Sequence, residues 1–497
     1  MKPPQSTDFS FAYDRACGKP GSEPGPPSLW SRPAGYRDVL TIAVPLILST
    51  GSWSVQHFVD RMFLCWYSTE AMAAASFAGS LAFSILCFFS GIVSYVNTFV
   101  AQYHGAGRPH RIGSVICHGI YLSALVGLLL PALIPRSGFL FGLVGHAPEL
   151  QSLERTFFNI IMAGVFFSLY NGALSCFFTG LGRVWPATWV TLGVVVVNLI
   201  LDYALIFGNW GMPEMGIAGA AWATVTANAA GSIAYTILVF RPVNRARFAL
   251  DSGWRFDPGL MIRLFRFGAP NGAQFFMDML SFTFFLLFVG GIGEVEGEAT
   301  VLAFQVNTVA FMPMIGFGIA ASTLVGQSLC RNQPHLAARA TWSAFHLTFA
   351  YMATVAVLYV LVPSWFIYLF AVKADPEKMK AIYPIAVNIL YFIAVYSLFD
   401  TMNLVFAGAL KGAGDTFFVM LMSWGLTVMI VIVPISIASV FFHCGLYTAW
   451  AFFSLYVILL GFGFLFRFLQ GKWRTMRVIE ASAPALPPLL PEAPTVE

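Results

Sequence analysis

Apolar runs of twenty or more residues recur along this chain, separated by short segments that hold charged residues, glycines and prolines. The hydrocarbon core of a bilayer is crossed by about 20 consecutive apolar residues in an α-helix. The pattern therefore predicts an all-α polytopic membrane protein. We place twelve spans near residues 37–66, 72–102, 113–135, 156–181, 186–208, 216–240, 262–291, 298–328, 338–371, 381–410, 416–440 and 445–469.

The composition agrees with lipid as the main solvent. Of the 497 residues, 58% are hydrophobic and 10% are charged, which leaves too little polar surface for a soluble protein of this length. The net charge of +4 is small and the basic residues lie beside apolar runs, so we expect no nucleic-acid partner. The seven cysteines are scattered without metal-type spacing, and we interpret them as small buried hydrophobic residues.

Both ends of the chain differ from the apolar body. Residues 1–36 are rich in Pro, Gly and Ser and contain no apolar core typical of a signal peptide. Residues 471–497 form a second tail, which ends in a stretch rich in Pro, Ala and Glu. We predict a disordered N-terminal tail and the same property for the final stretch.

The basic residues predict the orientation, because Lys and Arg concentrate in cytoplasmic loops. One set of loops contains the arginine cluster of residues 241–266 and both termini. The alternate loops hold few basic residues and carry Glu294, Glu296 and Glu298. We therefore expect a protein of the cell (inner) membrane with both termini cytoplasmic, as an even number of spans requires.

The second half of the chain repeats the first. A shift of 225 residues aligns identical residues without a gap, among them Pro45 with Pro270, Gly91 with Gly316 and Gln102 with Gln327. With six spans in each half, the copies share one orientation in the membrane. We predict an N lobe (37–240), a cytoplasmic linker (241–261) and a C lobe (262–470), related by a pseudo-twofold axis along the membrane normal with a cleft between them.

Four carboxylates fall inside the predicted spans and away from their ends. They are Asp60, Asp202, Asp278 and Asp400. An ionised carboxylate in hydrocarbon costs several kcal/mol, so such a group normally faces a partner or a water-filled cavity, or holds a proton. The alternative for each is a structural ion pair or a span misplaced by a turn. We interpret the four as functional candidates.

Helical spacing groups the N-lobe candidates. Asn198 and Asp202 are four residues apart and can present an amide oxygen and a carboxylate to one cation. His57 shares a face with Asp60, either as a second titrating group or as a residue of helix packing. Arg61 points about 100° away from Asp60, towards the lipid headgroups or a carboxylate on a neighbouring helix.

The two lobes differ in these ionisable residues. Asp278 and Asp400 lie at depths that suit a shared cavity in the C lobe. Under the repeat, Asp400 aligns with Asn171 and Asp278 with Trp53. The duplication therefore predicts a common scaffold with different charged sites in its two copies.

Several segments, in their order and spacing, resemble the multidrug and toxic compound extrusion (MATE) family over residues 37–470. They are FVDRMF at 58–63, FVAQYHGAG at 99–107, NLILDYALIFG at 198–208, GIAGAAWAT at 216–224, FGAPNGAQFFMD at 267–278, LVGQS at 324–328 and LFDTMNLVFAGALKGAGDT at 398–416. The resemblance implies an antiporter that exports organic, cationic and amphipathic compounds or drugs in exchange for Na⁺ or H⁺ by alternating access.

The resemblance also implies where coupling takes place. It suggests an N-lobe cation or proton site of Asp60, Asn198 and Asp202, and a C-lobe site of Asp278 and Asp400, with Na⁺ as the metal ion that the same carboxylates would bind. The family often has Glu where this chain has Asp278. We take as candidate accessory residues His57, Arg61, Asn171, Thr224 and Gln305. We expect a monomer in contact with membrane lipid, without a cofactor and without catalytic residues.

Two other function classes remain in view. A lipid-linked oligosaccharide or polyprenyl flippase of the same superfamily would need a cationic cavity for a pyrophosphate headgroup, and Arg61 is the one basic residue predicted well inside a span. A polytopic membrane enzyme would need a cluster of catalytic side chains or a metal motif, which the sequence does not show.

Overall fold

The computed structural model describes residues 30, 32–142, 146–370, 376–442 and 445–480. Of the predicted tails at 1–36 and 471–497, residues 1–29, 31 and 481–497 lie outside the described residues. The spans are α1 (Tyr36–Tyr67), α2 (Thr69–Gly105), α3 (His110–Gly142), α4 (Pro148–Ala163 and Val165–Gly180), α5 (Trp185–Phe207), α6 (Ile217–Val239), α7 (Pro258–Ile292), α8 (Glu294–Cys330), α9 (Pro334–Leu361), α10 (Pro376–Ala413), α11 (Thr416–Ala438) and α12 (Leu446–Leu469).

Length and apolarity support a crossing of the membrane for each of these helices. Within the described ranges, ten helices are long and apolar enough by themselves. Two more qualify as bent pairs: the halves of α4 meet at 43°, and α6 meets the short linker helix Pro242–Phe248 at 66°. The predicted all-α architecture of twelve spans is confirmed.

The helix ends follow local chemistry. Asp257 caps α7 by accepting a hydrogen bond from the backbone N–H of Leu260 at 3.1 Å, with Pro258 in the first helical position, which is the arrangement that fixes a helix start. Gly414, with a φ of 115°, ends α10. Because α10 continues to Ala413, beyond the predicted end at residue 410, Lys411 lies inside the helix rather than in a loop.

The predicted pseudo-twofold relation is visible in paired contacts between the lobes. The side chain of Gln102 donates to the backbone carbonyl of Gly412 at 2.9 Å, and its repeat equivalent Gln327 donates to Gly180 at 2.8 Å. Each lobe thus places one glutamine on the backbone of the other. The exchange is the one expected for two copies in the same membrane orientation.

Glycines let helices approach closely inside and between the lobes. A Cβ atom on Gly91 of α2 would clash with Gly272 of α7. Within the C lobe, a Cβ atom on Gly412 of α10 would clash with the backbone carbonyl of Ser322 on α8. Small residues are the usual means of close helix packing in membranes, because no hydrophobic driving force acts between helices there.

The lobes are tied together at the end of the bundle where α1 begins and α12 ends, called the terminal end below. The two glutamine bonds lie there, together with a bond from Asn97 of α2 to Thr323 of α8 at 3.1 Å. Residues 471–480, assigned to the C-terminal tail from sequence, also pack against this end. The lobe interface is therefore closed on the terminal side.

The cysteine interpretation is confirmed in part. The described buried cysteines are Cys87, Cys117, Cys176 and Cys330. Cys65 is exposed, so the interpretation was wrong for it. Cys17 and Cys444 lie outside the described residues.

Candidate functional site

The N-lobe candidates meet between α1 and α5. These helices run in the same direction from the terminal end, and both Asp60 and Asp202 lie in their far parts. The carboxyl groups of Asp60 and Asp202 lie close enough to interact directly with each other. Asp202 and Asn198 are completely buried.

This site has buried polar atoms without partners. Within the described residues no hydrogen bond reaches Oδ1 of Asp60, either carboxylate oxygen of Asp202, or the amide oxygen and nitrogen of Asn198. Ionised carboxylates can only accept hydrogen bonds, and leaving such oxygens buried and unpaired is costly. A proton shared by the two carboxyls, or a cation held by the carboxylate and amide oxygens, would remove that cost.

The neighbouring residues on α1 differ in their relation to this pair. The ring of His57 packs edge-on against Trp53, with 4.5 Å between the ring centroids. Arg61 is exposed, and its charge acts electrostatically on both Asp60 and His57. In the part of the chain that the structure describes, Arg61 forms no salt bridge. It is therefore a positive charge beside the site, not a neutralising partner.

The other accessory candidates are not hydrogen-bonded to the carboxylates within the described ranges. Asn171 accepts from the hydroxyl of Ser232 at 2.8 Å and donates to the backbone carbonyl of Asn228 at 2.9 Å, which joins α4 to α6. Thr224 bonds to its own helix, and Gln305 is exposed on α8. The role of Asn171 in this structure is to connect helices.

The C-lobe candidates lie on α7 and α10. Asp278 accepts from the side chain of Gln274 at 3.1 Å, while its Oδ1 atom is buried without a partner in the described structure. Asp400 is 8% exposed and accepts from Asn403 at 3.0 Å. The charge of Asp400 acts on Asp278, so the fold brings these two carboxylates into one electrostatic group.

Sequence reasoning missed Lys411 as a member of this group. Its charge acts on Asp278 from the last turn of α10. The signal in the sequence was the stretch Lys411–Gly412–Ala413–Gly414, in which Gly414 is the natural helix terminator. The C-lobe group therefore combines two carboxylates with an ammonium group, unlike the N-lobe pair.

Neither group has the composition of a transition-metal site. In the described ranges, no three His, Cys, Asp or Glu side chains gather as they would around a metal ion. Two carboxylates and an amide oxygen instead suit a proton or an oxygen-seeking cation.

Comparison with known proteins places this arrangement in a family. A family model described as MatE matches residues 45–204 and 270–438, one segment in each lobe. The chain belongs to the MatE family. The resemblance seen in the sequence motifs is thereby confirmed, and the two matched segments correspond to the two predicted repeats.

Curated MatE relatives match most of the chain. A probable multidrug resistance protein NorM of Brucella suis is 27% identical over 78% of this chain and 83% of its own length. The multidrug resistance protein PmpM of Pseudomonas aeruginosa is 27% identical over 79% of this chain and 82% of its own. A probable NorM of Thermotoga maritima is 26% identical and covers 89% of this chain and 94% of its own.

Solved structures share the MatE fold seen here. One, described as the outward-facing conformation of a multidrug resistance MATE family transporter, has a TM-score of 0.81 and 16% identity, covering 89% of this chain and 97% of its own. A transporter of the MOP superfamily from Pyrococcus furiosus has a TM-score of 0.80 and 17% identity over the same shares. At these identities the likeness shows the fold.

Proposed function

We propose that this MatE protein is a secondary active antiporter that exports organic, amphipathic cations in exchange for Na⁺ or H⁺. The observation that carries the proposal is the group of half-buried Asp60 with fully buried Asp202 and Asn198, in which Oδ1 of Asp60 and every side-chain polar atom of the other two have no hydrogen-bond partner in the described structure. Binding of one cation or proton satisfies these atoms, and its release leaves them costly again. The names of the relatives, multidrug resistance proteins, support an export function.

The coupling mechanism follows from that alternation. When the N-lobe pair takes up its ion, the repulsion between Asp60 and Asp202 is removed and α1 and α5 can pack together. Loss of the ion restores the repulsion and favours a different packing of the same helices. The protein then binds the ion in one packing state and the substrate in the other. This alternation exchanges the ion for the substrate.

The driving force is sufficient for export. A one-for-one exchange of an ion for a monovalent cation moves no net charge and is driven by the concentration gradient of the ion. Each further ion that enters carries one net charge across the membrane, which releases about 2.3 kcal/mol at 100 mV and supports a substrate gradient of roughly fiftyfold. No cofactor is needed in this scheme.

The flippase alternative gains one basic residue from the structure. Lys411 lies inside α10, so Arg61 is not the one basic residue within a span. The charge of Lys411, however, acts on Asp278, and an ammonium group whose charge is partly offset by a nearby carboxylate attracts a pyrophosphate less strongly. The carboxylates therefore favour cationic substrates over lipid-linked pyrophosphates. An enzyme would require a reactive constellation, and the relatives are named for drug resistance.

We further propose that the protein lies in the cell (inner) membrane with the terminal end in the cytoplasm. The linker helix Pro242–Phe248 and its flanks carry the arginine cluster on that end, as the distribution of basic residues in membrane proteins favours.

Transport into vesicles tests the proposal. Purified protein in proteoliposomes is given an ethidium-like cation under a Na⁺ gradient and a pH gradient, each imposed separately. We expect Asp60→Asn and Asp202→Asn to lower ion-driven transport at least tenfold, because an amide neither takes up a proton nor attracts a cation. The matched control is Asp251→Asn, which removes an exposed carboxylate paired with Arg245 in the linker.

Two transport results would contradict the proposal. If both N-lobe variants transport as fast as the wild-type protein under both gradients, the coupling site proposed here is wrong. If neither gradient drives transport by the wild-type protein, the antiport mechanism is wrong.

A further inference from the structure

The chain does not leave the bundle after α12. Residues Lys472–Thr475 form a short turn in which Trp473 is 1% exposed and stacks on Phe468 at 4.8 Å between ring centroids. The indole nitrogen of Trp473 donates to the backbone carbonyl of Phe468 at 2.7 Å. A buried tryptophan with its N–H satisfied is a firm anchor, so this turn is fixed to the C lobe.

Beyond the anchor, the segment crosses to the N lobe. The backbone N–H of Val478 donates to the side-chain oxygen of Gln102 at 2.9 Å, and Val478 is 2% exposed. The amide nitrogen of Gln102 meanwhile donates to Gly412 of α10. One side chain of the N lobe therefore holds both the C-lobe backbone and the C-terminal segment.

Glu480 ends the described segment in a position between the lobes. Its carboxylate accepts from the hydroxyl of Tyr103 at 2.5 Å and forms ion pairs with Arg111 at 3.2 Å and Arg263 at 3.0 Å. Tyr103 and Arg111 belong to α2 and α3 of the N lobe, whereas Arg263 belongs to α7 of the C lobe. A single carboxylate thus joins three helices from two lobes.

The charge state of Glu480 suits this position. Burial acts to raise the pKa of its carboxyl, but the hydrogen bond from Tyr103 and the charges of Arg263 and Arg111 outweigh burial and hold the pKa below its ordinary value. Glu480 therefore stays ionised near neutral pH, where charge-assisted hydrogen bonds are stronger than neutral ones.

We propose that Glu480 is a positioning residue of the transport cycle: with residues 471–480 it ties the two lobes at the terminal end and must be released before the protein can open on that side. The inference rests on the proposed alternating-access function. Opening toward the cytoplasm separates Arg263 from Tyr103 and Arg111, and one carboxylate cannot span the widened gap. The tie therefore favours the state closed to the cytoplasm.

The chain carries its own reporter for this opening. The thiol of Cys330 at the end of α8 is buried and contacts the side-chain oxygen of Gln102 across the lobe interface at 3.6 Å. Cys117 is buried inside the N lobe, within α3. Opening between the lobes exposes the first thiol and leaves the second buried.

The experiment uses full-length protein that retains Cys330 as its sole cysteine, in inside-out membrane vesicles. The rate of labelling by a membrane-impermeant maleimide is measured for this single-cysteine protein, called the background, and for its Glu480→Gln and Arg263→Gln variants. We expect both variants to increase the labelling rate at least fivefold, since Glu480→Gln removes the shared carboxylate and Arg263→Gln removes its partner in the C lobe. The linker variant Asp251→Asn, which breaks an arginine–carboxylate pair away from the lobe interface, should label like the background.

Two results would overturn the inference. One is an unchanged Cys330 rate in both Glu480→Gln and Arg263→Gln. The other is an equal rise in the rate of a matched protein with Cys117 as its sole cysteine, which would mean general loosening. Labelling does not require transport, so a negative result here is distinct from failure of ion-driven export in proteoliposomes.

Discussion

At the scale of single residues, the two lobes solve the problem of a buried charge differently. In the N lobe, Asp60 and Asp202 face each other and no arginine or lysine pairs with them in the described structure. In the C lobe, the charge of Lys411 compensates part of the negative charge at Asp278. Arg61 also acts on Asp60, but from an exposed position, so we expect a mobile cation to matter more in the first group than in the second.

Lys411 therefore provides a test of which lobe binds the coupling ion. A positive charge near a cation site weakens binding by roughly 1 kcal/mol or more at an effective dielectric constant of about 20. If the ion binds at Asp278, Lys411→Met should lower its half-saturating concentration about fivefold, as measured by transport at graded Na⁺ or H⁺ concentration. If the ion binds in the N lobe, the concentration should stay within twofold of wild type.

The control for this measurement is Lys472→Met, an exposed lysine in the turn after α12. A fivefold change in that variant would mean that surface charge, not the C-lobe group, sets the response. An increase in the half-saturating concentration for Lys411→Met would contradict the electrostatic argument altogether.

At the scale of helices, close backbone approach determines the packing of the C lobe. Gly408 and Gly412, four residues apart on α10, face the backbone of α8 at Gly318 and Ser322. The spacing puts both glycines on one face of the helix. The contact fixes the position of α10, and with it the positions of Asp400 and Lys411.

A methyl group at this contact should destabilise the C lobe. Gly412→Ala places a Cβ atom against the carbonyl oxygen of Ser322, which is backbone and cannot rotate away. We expect a loss of about 1 to 3 kcal/mol, typical of overpacking, seen as a lower melting temperature of the purified protein in detergent. Gly425→Ala on α11 is the matched control, because a Cβ atom there meets nothing within 4 Å.

The change in melting temperature of the control separates the effect of helix propensity from that of overpacking. Alanine stabilises a helix relative to glycine by up to about 1 kcal/mol, so Gly425→Ala should melt at the same or a higher temperature. A Gly412→Ala protein that is as stable as wild type would show that α8 and α10 are not held by this contact.

At the scale of the whole molecule, the fold combines one closed end with carboxylate groups deeper in the bundle. Hydrogen bonds between Gln102, Gln327 and the opposite lobes gather at the terminal end. The N-lobe carboxylates lie in the far parts of α1 and α5. In the proposed orientation, this arrangement is closed to the cytoplasm.

The orientation itself can be tested on intact cells. A membrane-impermeant maleimide should label Glu294→Cys, at the start of α8, and fail to label Ser252→Cys in the linker. Both positions are exposed. The background lacks Cys65, which is exposed in the native chain, and also Cys17 and Cys444, which lie outside the described residues. Labelling of Ser252→Cys but not Glu294→Cys would reverse the proposed topology.

Much of this molecule was determined by the sequence alone. Apolar runs long enough to cross a bilayer leave few alternatives to helices, because lipid provides no hydrogen-bond partners for an irregular backbone. The repeat was equally accessible, since duplicated residues such as Gln102 and Gln327 kept their register. The candidates Asp60, Asp202, Asp278 and Asp400 stood out because charged residues are rare within spans.

The tertiary structure decided what those residues contact. Helical spacing grouped Asn198 with Asp202. No local pattern could show that Asp60 on α1 faces Asp202 on the neighbouring helix α5. Lys411 was missed because α10 was predicted to end at residue 410. The helix continues for three more residues, up to Gly414, which ends it. The tie at Glu480 was invisible for a similar reason: a polar residue near a chain end looks like part of a tail until the fold brings Tyr103, Arg111 and Arg263 around it. Composition predicts which solvent a segment prefers, whereas contacts between distant segments arise only when the helices pack.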